Sequence, residues 1–419
     1  MSLFFSILIP FYNSKATLNK AVTSILEQKF NKRLYEIILV NDKSNDSSAK
    51  ISKNLSSTNK NVYLINNKKN RGVSFSRNAA IKKAQGKYIV FLDSDDTLEV
   101  NALKSIYSKL KKINIDLLYS NKDLKKDEIL GSEKALKVIS NLKSFRTYCW
   151  SFIIKRSMLL KHNINFDKIR IFEDQNFVTK IIFISKKIVC TKKCYHKHNE
   201  SFNSLSKKTN YLAAYSCLKV IYNFIKLYKK ERISINQKKF ICNRIEFMYK
   251  IFKIYLITLN KNQIEKISFK IKKTFSNFTD VKIKKLDLLF SKKINLKINH
   301  YIKKKKNNLK KQILSSVNKK NLSLKNFIFC CGNYGRFLSR VFINEKIPLG
   351  GFIDNNKNLW NKRYFKLKIY SPKILNKEFI QSSRLFIGHD DPKIINIILR
   401  QLNKLKVLKK NINKINFVI

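Results

Sequence analysis

The chain has 419 residues, 44% of them hydrophobic, which is enough to bury two or three cores and too apolar for wholesale disorder. Its formal charge is +61, yet only 13 of the 88 basic residues are arginine, so the composition argues against a dedicated phosphate reader and nucleic acid is not the expected partner. Nowhere do 18 apolar residues run together without a charge, which excludes a spanning helix, and seven scattered cysteines do not read as a disulfide framework.

The opening MSLFFSILIPFYN carries a short apolar run without the basic leader and cleavage site of a secretory signal, so a cytoplasmic chain is expected. From residue 4 to 118, strand-like runs at Phe5–Ile9, Glu36–Val40, Val62–Ile65 and Tyr88–Leu92 alternate with helical periods such as Ala16–Phe30 and Ser76–Ala84. That alternation predicts βαβ units and a mostly parallel sheet. Gly86 stands where a left-handed residue would end a helix before KYIVFLD, which puts Asp93 to Asp96 just past a strand's carboxyl end, where open α/β sheets place ligands. Residues 207–318 contain no glycine or proline and read as helical hairpins. Within them, 17 lysines face three acids between Lys261 and Lys311. This surface is either a product of coding bias, since lysine, asparagine and isoleucine are all abundant, or a face for an anionic membrane surface. From about 321 onward five of the eight glycines return, with strand-like NFIFC, LGGFID and RLFIG, so a third, α/β domain is expected.

The strongest chemical signal is DSDD, Asp93 to Asp96. Carboxylates one residue apart at a strand-to-loop turn suit a divalent cation, Mn2+ or Mg2+, and a sugar nucleotide. Two more polar clusters end presumed strands of the same sheet: Pro10-Phe11-Tyr12-Asn13, and VNDKSND at 40–46 with Asn41 and Asp42. A common crevice follows. In NRGVSFSRN, Arg71, Gly72 and Arg77 lie just before or on the next helix, suited to phosphate contact or to tying down the acidic loop.

SILIPFYN, EIILVNDKSND, NRGVSFSRNAAIKKAQGKYIVFLDSDD and FEDQNF occur in the order and approximate spacing of family 2 glycosyltransferases, which the first 205 residues closely resemble. The resemblance implies a GT-A fold and a donor site that includes Pro10, Tyr12, Asn13, Asp42, Arg77 and Asp93. Asp42 would recognise the nucleotide base, Asp93 the ribose side of the donor, and Asp95 the metal on the diphosphate. Asp174, in the Glu173-Asp174 pair, would be the general base, its other reading being the cap of a helix Gln175–Ile184. Asn41 departs from the two acidic residues common at that place in the family. Downstream, His196, Lys197 and His198 resemble the basic segment that closes this domain over the donor diphosphate, and Trp150 is placed either to stack on a sugar ring or in the core. Cys190 and Cys194 with His196 and His198 lack the second cysteine pair of a zinc site.

FIFCCGNYGRFLSRVF (327–342) and GGFIDNN (350–356) resemble a small Rossmann-like nucleotide-binding domain, with Cys330 where the glycine fingerprint would open, then Gly332 and Gly335, and with Asp354 ending the second strand. The expected architecture is thus α/β throughout its ends: a GT-A domain over 1–206, a lysine-rich helical region over 207–318 and a Rossmann-like domain over 319–419. The expected activity is inverting, metal-dependent transfer of a hexosyl or N-acetylhexosaminyl group from a nucleoside-diphosphate sugar, a UDP-sugar first among them, to a hydroxyl of a glycan or lipid-linked glycan of the bacterial surface. The chain would work in the cytoplasm, at the inner face of the plasma membrane. The alternative is a basic polyanion- or membrane-binding protein with a degenerate transferase domain.

Overall fold

The computed structural model describes residues 2–142, 145, 147–199, 211–230, 233–257, 259–275, 294–317, 324–331, 333–364, 366–389, 392–405, 407 and 412–414. They belong to two compact units, Met1–Ser201 with Tyr215–Tyr249, and Phe202–Ala214 with Lys250–Ile419.

The first unit begins as the alternation predicts: β1 (Phe5–Phe11), α1 (Leu18–Leu26), β2 (Tyr35–Asn41), α2 (Ser48–Thr58), β3 (Val62–Asn66), α3 (Val73–Lys83) and β4 (Tyr88–Phe91). It continues through β5 (Thr97–Leu98), α4 (Ala102–Leu110), β6 (Leu117–Ser120), β7 (Glu128–Gly131), α5 (Ser132–Asn141), β8 (Phe152–Lys155), α6 (Arg156–Lys161), α7 (Glu173–Ile184), β9 (Lys187–Thr191) and β10 (His196–Lys197). Eight strands form one sheet in the order β3-β2-β1-β4-β8-β6-β9-β7. The first four are parallel, and β8 reverses the direction by pairing antiparallel with both β4 and β6.

All seven residues of β1 and of β2 are buried, the condition of strands covered on both faces. Their side chains alternate between two cores: Leu8, Ile38, Ile89 and Phe91 pack on one face, and Ile7, Ile9, Ile37, Leu39 and Val90 on the other. Gly86 is not left-handed; among the described glycines only Gly72 and Gly351 have positive φ. Its requirement is space, because a Cβ there would lie 2.5 Å from the carbonyl carbon of Phe5.

The stretch expected to be helical holds α8 (Tyr211–Tyr228), α9 (Ile235–Ile257), α10 (Lys261–Phe275) and α11 (Ile294–Ser316). The division between the units runs through it, at Tyr249 within α9. No described helix is long and apolar enough to cross a membrane.

The second unit adds β11 (Lys325–Phe329), α12 (Asn333–Asn344), β12 (Gly351–Ile353), β13 (Arg363–Tyr364), β14 (Leu367–Tyr370), α13 (Lys377–Ser382), β15 (Ser383–Ile387), α14 (Pro392–Lys404) and β16 (Ile412–Lys414). Its strands lie in the order β13-β14-β12-β11-β15-β16, all parallel except the β13–β14 hairpin. Leu309 and Ile313 of α11 pack with Ile328, Phe352 and Phe386 on one side of this sheet, so the helix is part of that core.

Candidate active site

The loops at the carboxyl ends of β1 to β4 are stitched into one rim by side-chain hydrogen bonds. Asn13, in the left-handed region at φ 51°, donates its N–H to Ser44 Oγ (3.0 Å) and accepts from the Asn45 N–H (3.0 Å). Ser14 Oγ lies 2.8 Å from Ser94 Oγ, which joins the first strand's loop to the acidic loop 80 residues later. Pro10 is buried within β1, while Tyr12, just beyond the strand, is 46% exposed at the rim.

Asp42 is buried and organises the next loop. One carboxylate oxygen accepts from Asn67 Nδ2 (2.8 Å) and the Arg71 N–H (3.0 Å), the other from the Gly72 N–H (2.7 Å). Gly72 sits at φ +89°, which an L side chain rarely adopts, so glycine is needed for its amide to reach the carboxylate.

Arg77, on α3 and almost wholly buried, ties acids together. Its Nη2 contacts Asp93 Oδ1 (2.8 Å), and its Nη1 contacts both Glu173 Oε1 (2.7 Å) and Asp174 Oδ1 (2.9 Å). Three carboxylates, one from the loop after β4 and two from the first turn of α7, thus converge on one guanidinium, whose planar fork suits several acceptors at once. Asp174 does not cap a helix. α7 starts at Glu173 after a left-handed Phe172 with no side-chain cap, and the second oxygen of Asp174 accepts the Cys149 N–H at 3.0 Å. Burial first, and then the Asp174 charge, outweigh Arg77 and push the Glu173 carboxyl up to about 7; burial likewise raises Asp174 above the usual carboxylate range. The pair therefore holds a proton more readily than free carboxylates do.

In the acidic loop, the adjacent acids diverge in role. Asp96 is buried and receives His196 Nε2 (2.8 Å), His198 Nδ1 (3.1 Å) and the Asn199 N–H (2.7 Å). Burial raises its pKa, but these bonds prevail and bring it down to about 2. β10 pairs with β5 here, so the segment expected to close the site is pinned to the acidic loop through Asp96 rather than left solvated. Trp150 stacks on the His196 ring at 4.4 Å and 8°, and Tyr148 on Trp150 at 4.9 Å. Sequence reasoning missed this aromatic ladder and the role of Asp96; the signal present was the third acid of DSDD and the two histidines, but nothing in the order of residues pairs them.

Asp95 has no such partner: among the described residues its carboxylate accepts no side-chain hydrogen bond. Burial, then the charges of Asp93 and Asp96, push it up to about 6. An ionised oxygen ligand crowded by like charges fits a divalent cation. Among the described residues no three His, Cys, Asp or Glu side chains are grouped to hold a metal by themselves; a cation bound here would take Asp95 as a ligand, with phosphate oxygens and water in its shell. The zinc reading fails for His196 and His198, which are engaged by Asp96, and for Cys190, which is buried in β9.

In the second unit, Asp354 follows β12 as expected, but both its oxygens serve the chain: one accepts from the Cys331 N–H (2.7 Å), the other from the Asn356 N–H (2.8 Å). Gly332 lies outside the described residues, and Cys330 has φ +82°.

Several comparisons bear on this geometry. The model described as Glycosyl transferase family 2 matches residues 6–177. The cholesterol galactosyltransferase of Borreliella burgdorferi is 27% identical over 230 residues, 49% of this chain and 63% of that protein. The Escherichia coli enzyme WfgD, named a UDP-Glc:alpha-D-GlcNAc-diphosphoundecaprenol beta-1,3-glucosyltransferase, is 30% identical over 158 residues, 37% and 61% of the two chains. The chain therefore spans less than two thirds of the length of these relatives. Among solved structures, residues 1–349 of S. aureus TarS, crystallised with UDP-GlcNAc, superpose with a TM-score of 0.56 at 18% identity, over 72% of this chain and 90% of that one. The fold is of this GT-A type, and residues 6–177, which hold Arg77 and the three carboxylates it pairs with, match the family 2 glycosyltransferase model.

Proposed function

We propose that the chain transfers a hexosyl or N-acetylhexosaminyl group from a UDP-sugar, with inversion, to a hydroxyl of a lipid-linked or polymeric glycan of the bacterial surface. The observation that carries this reading is the meeting of Asp93, Glu173 and Asp174 on Arg77, beside Asp95, whose carboxylate accepts no side-chain hydrogen bond from a described residue. The names of the relatives support the substrate class: one acts on a diphosphoundecaprenol-linked sugar, and TarS was crystallised with UDP-GlcNAc.

In this reading Asp42 faces the nucleotide base and Asp93 the ribose, while Tyr12 and Asn13, which follow the buried Pro10 of β1, form the rim of the donor site. A Mn2+ or Mg2+ ion held by Asp95 would neutralise the charge that develops on the diphosphate as it leaves. Asp174 accepts the acceptor hydroxyl's proton, and its Cys149 N–H and Arg77 contacts fix the direction of its carboxylate. Proton acceptance from the face opposite the leaving group gives inversion. Asp96, through His196 and His198, holds the closing segment over the site. The second sheet is read as a Rossmann-like module, on the strand order β14-β12-β11-β15-β16; the engagement of Asp354 by its own chain favours a structural role over dinucleotide binding.

Thermal unfolding with Mn2+ and a panel of UDP-, GDP- and dTDP-sugars tests the reading. A donor that binds raises the melting temperature in wild type, and not in Asp95→Asn. A panel that moves neither protein would end it.

A further inference from the structure

α10 carries two faces of opposite chemistry. Ile264, Ile267, Ser268, Ile271 and Phe275 are buried on one side. On the other, Lys261, Asn262, Glu265, Lys266, Phe269, Lys272 and Lys273 are exposed. At about 100° per residue these seven fall within an arc of roughly 140°, with Phe269 near its middle and lysines along both edges. Phe269 is 64% exposed, an unusual position for a phenyl ring in water. None of Lys261, Lys266, Lys272 and Lys273 is ion-paired with a described residue. α11, which packs against α10, adds exposed Lys303, Lys304 and Lys311.

We propose that this face of α10 is the surface by which the chain docks on a bilayer rich in anionic phospholipid headgroups, with Phe269 inserted at the headgroup level and the flanking lysines on the lipid phosphates. The pattern is that of an interfacial helix: an apolar centre, a basic rim and too little length of apolar sequence to span. The charge selects an anionic partner. The central phenyl ring selects a bilayer over a soluble polyanion, because only the bilayer removes that ring from water. The proposal rests on the acceptor reading above only in that a lipid-linked acceptor resides in such a bilayer, and it depends on no catalytic residue.

The experiment uses the full chain and vesicles that contain neither donor nor acceptor, so its outcome is independent of turnover. Phe269→Trp is mixed with phosphatidylglycerol/phosphatidylcholine vesicles, and its emission is read as a difference from wild type. The expected result is a blue shift and quenching by acyl-brominated lipids, both lost on pure phosphatidylcholine. Each of Lys266→Gln and Lys273→Gln lowers partitioning about fivefold. Phe269→Ser lowers it about tenfold while leaving heparin and duplex DNA binding unchanged. Vesicle binding without shift or quenching overturns the proposal, as does no binding to anionic vesicles. Equal loss of heparin and vesicle binding in Phe269→Ser also overturns it, in favour of a soluble polyanion.

Discussion

Replacing Arg77 with methionine keeps the side chain's apolar stem and removes the one cation that pairs with Asp93, Glu173 and Asp174 among the described residues. Glu173 and Asp174 are only 13% and 15% exposed, so their repulsion is poorly screened, whereas Asp93 at 32% is partly relieved by solvent. Breaking a buried ion pair by deleting one partner costs about 3–5 kcal/mol, which in a unit of this size lowers the melting temperature by roughly 10 °C. The loss must depend on pH. Without the guanidinium the folded pKa values of Glu173 and Asp174 rise further above their unfolded ones, so the folded state binds more protons and stability falls as pH rises through that window. Thermal unfolding of Arg77→Met and wild type at pH 5 and pH 8 should therefore give a larger difference at pH 8. A difference below about 1 kcal/mol, or one equal at both pH values, would refute the reasoning.

The Asp95 carboxyl, pushed up to about 6 against an ordinary 3.8, is protonated in the folded chain where the unfolded chain is already ionised. Metal-free stability should accordingly decline as pH rises from about 4 to 6, and Mn2+ should offset that decline. The melting-temperature gain from Mn2+ should grow from pH 5 to pH 7 and level off; a gain independent of pH contradicts a site at Asp95. Asp96→Asn keeps the shape but removes the charge on which His196 and His198 converge. A loss of about 1–3 kcal/mol is expected, together with altered Trp150 emission as its stack on His196 loosens, read in a Trp360→Phe background.

Much of the first unit is legible from sequence because each signal is local. The β1 to β4 runs are apolar segments of strand length separated by helical periods, and the polar residues at their ends fall where parallel strands deliver them. Phe5–Ile9 and Tyr88–Leu92 differ from the observed β1 and β4 only at their ends. Gly86 is legible as a glycine that matters, but a close approach to Phe5 from 81 residues earlier leaves no local pattern, so a left-handed cap is the nearest local reading. The same limit hides Asp96, whose histidines lie 100 and 102 residues away, and the Cys149 amide, a backbone group that any residue type supplies. Helical periodicity located α8 to α11, but period alone does not say which core a helix completes: Phe240 of α9 packs in the first unit's core, and Leu309 of α11 packs on the second sheet.

The most direct test of sugar transfer at this acidic crevice is turnover. Release of nucleoside diphosphate from UDP-GlcNAc, UDP-glucose and UDP-galactose with Mn2+ should be measurable in wild type with water as the default acceptor. Asp95→Asn and Asp174→Asn should each reduce it by about 100-fold or more. Release at equal rates by all three proteins, or by none of them with any donor, would contradict the account.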